Sequence, residues 1–97
     1  MLEQKEFICI MIDIYGDLLT KKQLSTIEQY YKLDYSLNEI ALEYDVTKQA
    51  IKDTIDKAVK SLNKFEEVLG LANREVELRK INLNELSKEE LIQIIKR

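Results

Sequence analysis

Residues 36–51, SLNEIALEYDVTKQAI, decide the fold of this chain. Ser36 precedes an apolar periodic run and Glu39 follows three residues later, which is the pattern of an N-terminal capping box. Thr47 is a second N-cap, but it lacks the return partner because no Glu or Gln stands three residues later. Asp45 lies between these caps, where the turn often needs a backbone that tolerates positive φ. The stretch therefore predicts a short helix, a turn and the start of a second helix.

The same signals recur elsewhere in the chain. Thr20 with Gln23 and Ser87 with Glu90 are two further capping boxes. Each of the four starts also has an apolar residue before the cap that can pack on one in the first turns of the helix. These pairs are Leu19 with Leu24, Tyr35 with Ile40, Val46 with Ile51, and Leu86 with Leu91.

Apolar spacing extends these starts into helices. The predicted bounds are about Glu3–Leu18, Thr20 to near Leu33, Leu37–Tyr44 and Lys48–Leu69, with Gly70 as the C-cap of the long fourth helix. A charged segment follows over Ala72–Ile81, Asn82–Glu85 interrupts it, and Ser87 starts a last short helix. We expect an all-α fold: a helix-turn-helix domain over 1–70 with a helical extension over 71–97, packed on the domain or on a second subunit.

The first predicted helix is apolar on more than one face, so it must bury more than one face. Its second surface would contact either the C-terminal segment or another subunit. Together with the amphipathic last helix, this favours a homodimer with two-fold symmetry. The apolar positions are Phe7, Ile8, Ile10, Met11, Ile12, Ile14, Tyr15 and Leu18.

Composition argues against an enzyme. The 97 residues contain no His, one Cys and no Pro, with 18 acidic and 15 basic side chains. Cys9 fits a buried inert thiol, and the adjacent acids Glu66 and Glu67 point apart on a helix and fit a solvated face. The sequence predicts no catalytic residue, no metal and no cofactor. The apolar run Phe7–Ile12 is too short for a bilayer and has no cleavage site, so we expect no membrane association and a cytoplasmic protein.

The candidate binding surface is the outer face of the fourth helix, where a recognition helix meets base edges and phosphates. From Lys48 to Lys64 there are five lysines and two acids, a balance of 5 − 2 = +3. Two observations favour mere solvation: the helix has no Arg, and Asp53 and Asp56 would face the same groove. Base stacking by tyrosines is another alternative, although Tyr30, Tyr31, Tyr35 and Tyr44 fit core positions better. The candidate residues are Thr47, Lys48, Gln49, Lys52, Asp53, Lys57 and Lys60.

Four stretches together resemble the YlxM family, small bacterial proteins whose helix-turn-helix is similar to region 4 of sigma factors. They are Tyr15–Gln23, Glu28–Tyr31, Asp34–Ala41 and Val46–Asp53. The resemblance runs from about Tyr15 to Leu71 and weakens beyond it. It implies association with the signal recognition particle pathway, with the particle's GTPase or its RNA as partner, and it supplies no catalytic residue.

Three functions remain open at the level of sequence. The first is an accessory or regulatory protein of the targeting particle, which the resemblance implies. The second is a DNA-binding transcriptional regulator, which the turn and the lysines favour. The third is a scaffold or dimer module whose helix-turn-helix no longer binds nucleic acid.

Overall fold

The computed structural model describes residues 4–84, and all of its regular structure there is helical. The predicted all-α fold is confirmed. Five α-helices follow one another: α1 Gln4–Tyr15, α2 Lys21–Tyr31, α3 Leu37–Tyr44, α4 Lys48–Leu69 and α5 Leu71–Asn84.

The first helix ends earlier than predicted. α1 stops at Tyr15, and Gly16–Leu18 forms a 3₁₀ turn that is closed by a 3.0 Å hydrogen bond from the backbone N–H of Leu19 to the carbonyl of Gly16. Gly16 favours the change from α-helix to the tighter 3₁₀ turn, because glycine is a poor α-helix former. It also lets α2 approach closely, since a Cβ at position 16 would lie 2.9 Å from Leu24 Cδ1.

The second helix ends two residues before Leu33, near which its end was predicted. α2 stops at Tyr31, and the backbone N–H groups of Lys32 and Leu33 both bond to the carbonyl of Glu28. Asp34 then takes a left-handed conformation, with φ of 58°. Residue preferences do not predict a left-handed residue at position 34, because Asp is less favoured than Gly at positive φ.

The predicted bounds of α3 and α4 are confirmed, and Gly70 ends α4 with a φ of 63°. The predicted interruption at Asn82 is wrong, because α5 continues to Asn84. Asn is only tenths of a kcal/mol less favourable in a helix than better helix formers, and residues 82–84 contain no Gly or Pro that would end the helix. The predicted helix from Ser87 lies outside the described residues, and the division at residue 70 stays a prediction.

The core consists of two clusters joined by α4. The first holds α1 and α2 against the middle of α4 and the start of α5: Ile8, Ile10, Met11, Ile12, Tyr15, Ile27, Ala58, Leu62 and Ala72. The second holds α3 against the start of α4: Ile40, Ala41, Ile51 and Ile55. Because α4 belongs to both clusters, it fixes the position of the turn between α3 and α4 relative to α1 and α2.

The second apolar surface of α1 packs against α5. Ala72 is fully buried in the cluster around α1, and Val76 packs against the same cluster. Cys9 is half-buried, with its Sγ 3.7 Å from the carbonyl oxygen of Tyr31. Of the predicted apolar positions in this part of the chain, Ile14 and Leu18 remain exposed.

Candidate helix-turn-helix interface

The predicted caps build the turn. The hydroxyl of Ser36 accepts the backbone N–H of Glu39 at 3.1 Å, and the Glu39 carboxylate accepts the backbone N–H of Ser36 at 3.1 Å. The Thr47 hydroxyl accepts the backbone N–H of Ala50 at 3.1 Å. Asp45 takes the left-handed conformation with a φ of 54°, as the turn was expected to need. These contacts orient the first turns of α4 relative to α3.

The structure places all seven predicted site residues at the surface. The hydroxyl of Thr47 is engaged in capping α4. Lys48, Gln49 and Lys52 line one depression together with Leu37 of α3. The remaining three are Asp53, Lys57 and Lys60, of which the last two lie further along the helix.

The side-chain amide of Gln49 is not free. Its Nε2 donates a 2.9 Å hydrogen bond to Oδ1 of Asp53, one turn later on α4. Such a pair four residues apart stabilises a helix by a few tenths of a kcal/mol. It leaves Oε1 and one N–H of Gln49 available for an incoming group.

Lysines on α4 carry uncompensated charge. The helix has five lysines and no arginine, and none of the five forms an ion pair among the described side chains. Elsewhere Lys5 pairs with Asp34 and Lys32 pairs with Asp13. The contact with Asp13 raises the pKa of Lys32. The unpaired lysines of α4 are Lys48, Lys52, Lys57, Lys60 and Lys64.

The surface around the turn is acidic, which the sequence reasoning noted only for α4. Helical periodicity places Glu39, Leu42 and Glu43 opposite the buried side chains Ile40 and Ala41 of α3. Together with the first turns of α4, this surface exposes five carboxylates but only two lysines. The carboxylates are Glu39, Glu43, Asp45, Asp53 and Asp56, and the lysines are Lys48 and Lys52. The periodicity of α3 was the signal that could have revealed it.

Glu66 corrects the expectation of a solvated acidic pair. It is only 9% exposed. One carboxylate oxygen accepts the Tyr15 hydroxyl at 2.7 Å and the backbone N–H of Ala72 at 2.9 Å, and the other accepts the backbone N–H of Asn73 at 3.0 Å. Glu66 therefore caps α5 from inside the bundle. Its neighbour Glu67 is exposed, as predicted.

Burial and hydrogen bonding act in opposite directions on Glu66. Burial opposes ionisation of the carboxyl, but the bonds from Tyr15 and the two α5 amides outweigh it and lower the pKa of Glu66. Burial, together with the bond to Glu66, raises the pKa of the Tyr15 hydroxyl. The Tyr15 oxygen also accepts the backbone N–H of Leu71 at 3.1 Å.

Two further properties concern residues 4–84. No group of three or more His, Cys, Asp and Glu side chains in this part of the chain is arranged to hold a metal ion. None of the helices there combines the length and the apolar character needed to cross a bilayer.

Comparison with known proteins identifies a family that matches nearly the whole chain and relatives that match most of it. The profile of a family described as "Putative helix-turn-helix protein, YlxM / p13 like" matches residues 2–97. A UPF0122 protein of Desulforamulus reducens is 49% identical over 72 residues, which is 72% of this chain and 62% of that protein. A UPF0122 protein of Thermoanaerobacter is 44% identical over 82 residues, covering 84% of this chain and 67% of that protein.

A third relative is matched to a similar extent. A UPF0122 protein of Listeria innocua is 45% identical over 74 residues, covering 76% of this chain and 67% of that protein. The chain thus spans about two thirds or less of the length of these relatives. The resemblance drawn from four short stretches is confirmed, and the chain belongs to the YlxM/p13-like family of helix-turn-helix proteins.

Proposed function

We propose that this chain is a non-enzymatic accessory protein that binds a nucleic acid along the outer face of α4. The observation that carries this proposal is the set of five exposed α4 lysines without an ion pair among the described side chains. Cations that are not neutralised within the protein are available to displace counterions from phosphates. The lysines lie between Lys48 and Lys64 of this helix, and so present their charges along about 24 Å.

The charge is uneven along α4. In its first turns Lys48 and Lys52 are offset by Asp53 and Asp56, so this part is close to neutral. The stretch 57–64 has three lysines and no acid, and its spacings of three and four residues place Lys57, Lys60 and Lys64 on one exposed face. We place the main phosphate contact there.

The partner we propose is the GTPase–RNA complex of the signal recognition particle. The support is the resemblance to the YlxM family. The basic stretch of α4 fits the RNA component of such a partner better than a protein surface of average composition. This role would place the protein in the cytoplasm and would make it regulatory or accessory to targeting.

Equilibrium binding of the full chain to the GTPase–RNA complex, measured by fluorescence anisotropy over a salt series, tests this function. We expect binding at low salt that weakens linearly on a double logarithmic plot. The double variant Lys57→Gln/Lys60→Gln should lose affinity and flatten the slope by about 1 to 2, because each lost phosphate contact contributes about 0.7 to 0.9.

The matched control is Lys21→Gln/Lys22→Gln, which removes the same charge from exposed positions at the start of α2. If both double variants weaken binding equally, α4 is not the contact surface. If the wild-type chain binds neither the complex nor its RNA at low salt, the proposed function is wrong.

The second candidate function is DNA-binding regulation. It is favoured by the helix-turn-helix family and by Gln49, whose remaining N–H and Oε1 suit the edge of adenine. Selection from a pool of random duplex DNA tests it. Enrichment of one motif that Gln49→Ala abolishes would support this role, and no mobility shift at low ionic strength would exclude it.

We also propose a homodimer, following the prediction from the amphipathic C-terminus alone, because the second apolar surface of α1 packs against α5. Light scattering at micromolar concentration should give twice the monomer mass of 11.4 kDa. A monomer mass under those conditions would refute it.

A further inference from the structure

We propose that the outer face of α3 is a docking surface for a basic, amphipathic segment of a partner protein. This α3 face consists of Glu39, Leu42 and Glu43, with Asp45 and Val46 at its end. It is distinct from the lysine stretch of α4 and does not depend on nucleic-acid binding.

The apolar element of the α3 face is Leu42. Its side chain is 82% exposed, the largest exposure among the described large hydrophobic residues. The opposite side of α3 supplies Ile40 and Ala41 to the core, so Leu42 contributes little to folding. Val46, in the turn that follows α3, is also partly exposed, with an exposure of 37%. Together they offer a small anchor point within a polar rim, as protein interfaces do.

The carboxylates of the α3 face are ordered by neutral donors. Glu39 accepts the backbone N–H of Ser36 at 3.1 Å, and Glu43 accepts the side-chain amide of Gln29 at 2.8 Å. Neither forms an ion pair among the described side chains. The hydrogen bonds with Ser36 lower the pKa of Glu39, so this group stays ionised. The face thus presents fixed negative charge that no cation in the described fold neutralises.

Charge complementarity selects the occupant. Phosphates would be repelled by Glu39, Glu43 and Asp45, so the α3 face is a poor surface for nucleic acid. A second copy is also disfavoured, because a two-fold contact would set this acidic face against itself. A helix that carries Lys or Arg around one apolar residue would pair its cations with these carboxylates and bury the apolar residue against Leu42. Lys48 and Lys52 lie at one edge, beside Leu37, and limit the acidic area on that side.

A synthetic peptide tests this proposal. The probe is a labelled 18-residue helix of Leu and Lys with its leucines on one face, titrated with the full chain and followed by anisotropy. Leu42→Ala should weaken binding about tenfold, because it removes most of the apolar surface that the peptide would bury on this face. Glu39→Gln/Glu43→Gln should weaken it and reduce its salt dependence. Gln at position 39 preserves the capping box, so α3 should remain folded.

Two variants outside the face are the controls. Val68→Ala removes an apolar side chain that is 78% exposed near the end of α4, and Glu67→Gln removes an exposed acid beside it. Both should leave peptide affinity unchanged, and circular dichroism should show equal helix content for all variants. The proposal is overturned if the chain does not bind the peptide, if the controls weaken binding as much as the α3 variants, or if a peptide with Glu in place of Lys binds equally well.

Discussion

Replacing Glu66 with Gln would test how α5 is attached to the helix-turn-helix bundle. The carboxylate accepts three hydrogen bonds, from the Tyr15 hydroxyl and from the backbone N–H groups of Ala72 and Asn73. The amide of Gln can keep its oxygen toward the first two donors. Its NH₂ group would then face the N–H of Asn73, donor against donor.

The magnitude follows from these contacts. One charge-assisted bond is lost, about 1.5 to 3 kcal/mol, and the two that remain become neutral bonds that are weaker by about 1 kcal/mol each. Gln is also cheaper to bury than a carboxylate, which offsets part of the loss. We expect a net destabilisation of about 2 to 3 kcal/mol, equivalent to a fall in Tm of about 10 to 20 °C for a domain of this size.

Urea denaturation monitored by circular dichroism would measure the change, with Glu67→Gln as the matched control. Glu67 is adjacent but exposed, so its replacement should alter the unfolding free energy by less than about 0.5 kcal/mol. Equal stabilities for the two variants would refute the account of Glu66 as a buried cap. Hydrogen exchange at Ala72 and Asn73 should increase in Glu66→Gln by more than exchange in α3, because α3 belongs to the other core cluster.

Three further predictions concern acid stability and the ends of α4. Folding lowers the pKa of Glu66, so on acidification the carboxyl is protonated in the unfolded chain before it is protonated in the folded one. The unfolding free energy should therefore fall as the pH drops below about 4.3, the usual pKa of Glu. An acid titration followed by circular dichroism should show a less steep fall for Glu66→Gln. Thr47→Ala removes the N-cap of α4 and should cost about 1 kcal/mol by urea denaturation, whereas equal loss in Thr47→Ser would contradict a capping role. Gly70→Ala forces a side chain into a φ of 63° and should cost about 1 kcal/mol; Gly70→Asn should cost less, and no difference in Tm between the two would argue against strain.

Local signals predicted the helices best where a side chain caps its own backbone. The bounds of α3 and α4 followed from Ser36, Thr47 and Gly70, because each acts within a few residues of itself. The ends of α1 and α2 lack such a cap signal. α1 ends before Gly16, a poor helix former that also lets Leu24 of α2 approach closely, and α2 ends before Asp34, a non-glycine residue at positive φ.

The candidate surface was predicted in part. The lysines of α4 were found from their helical spacing, and the structure places them at the surface. The sequence signals assign Glu39 to a capping box and Asp45 to the turn, and they do not single out Glu43. Only the arrangement of α3 beside α4 shows Glu39, Glu43 and Asp45 as one charged surface with Leu42 among them.

Caps, helical periodicity and charge are properties of neighbouring residues, so the helix-turn-helix, the family and the excess of lysines over acids in residues 48–64 could be predicted without the structure. The tertiary structure decided the role of Glu66. Helical spacing places Glu66 on the buried stripe of α4, four residues after Leu62, and leaves Glu67 off it. The partners of Glu66 depend on the return of α5 along α1, which brings the Tyr15 hydroxyl and two backbone N–H groups to a single carboxylate.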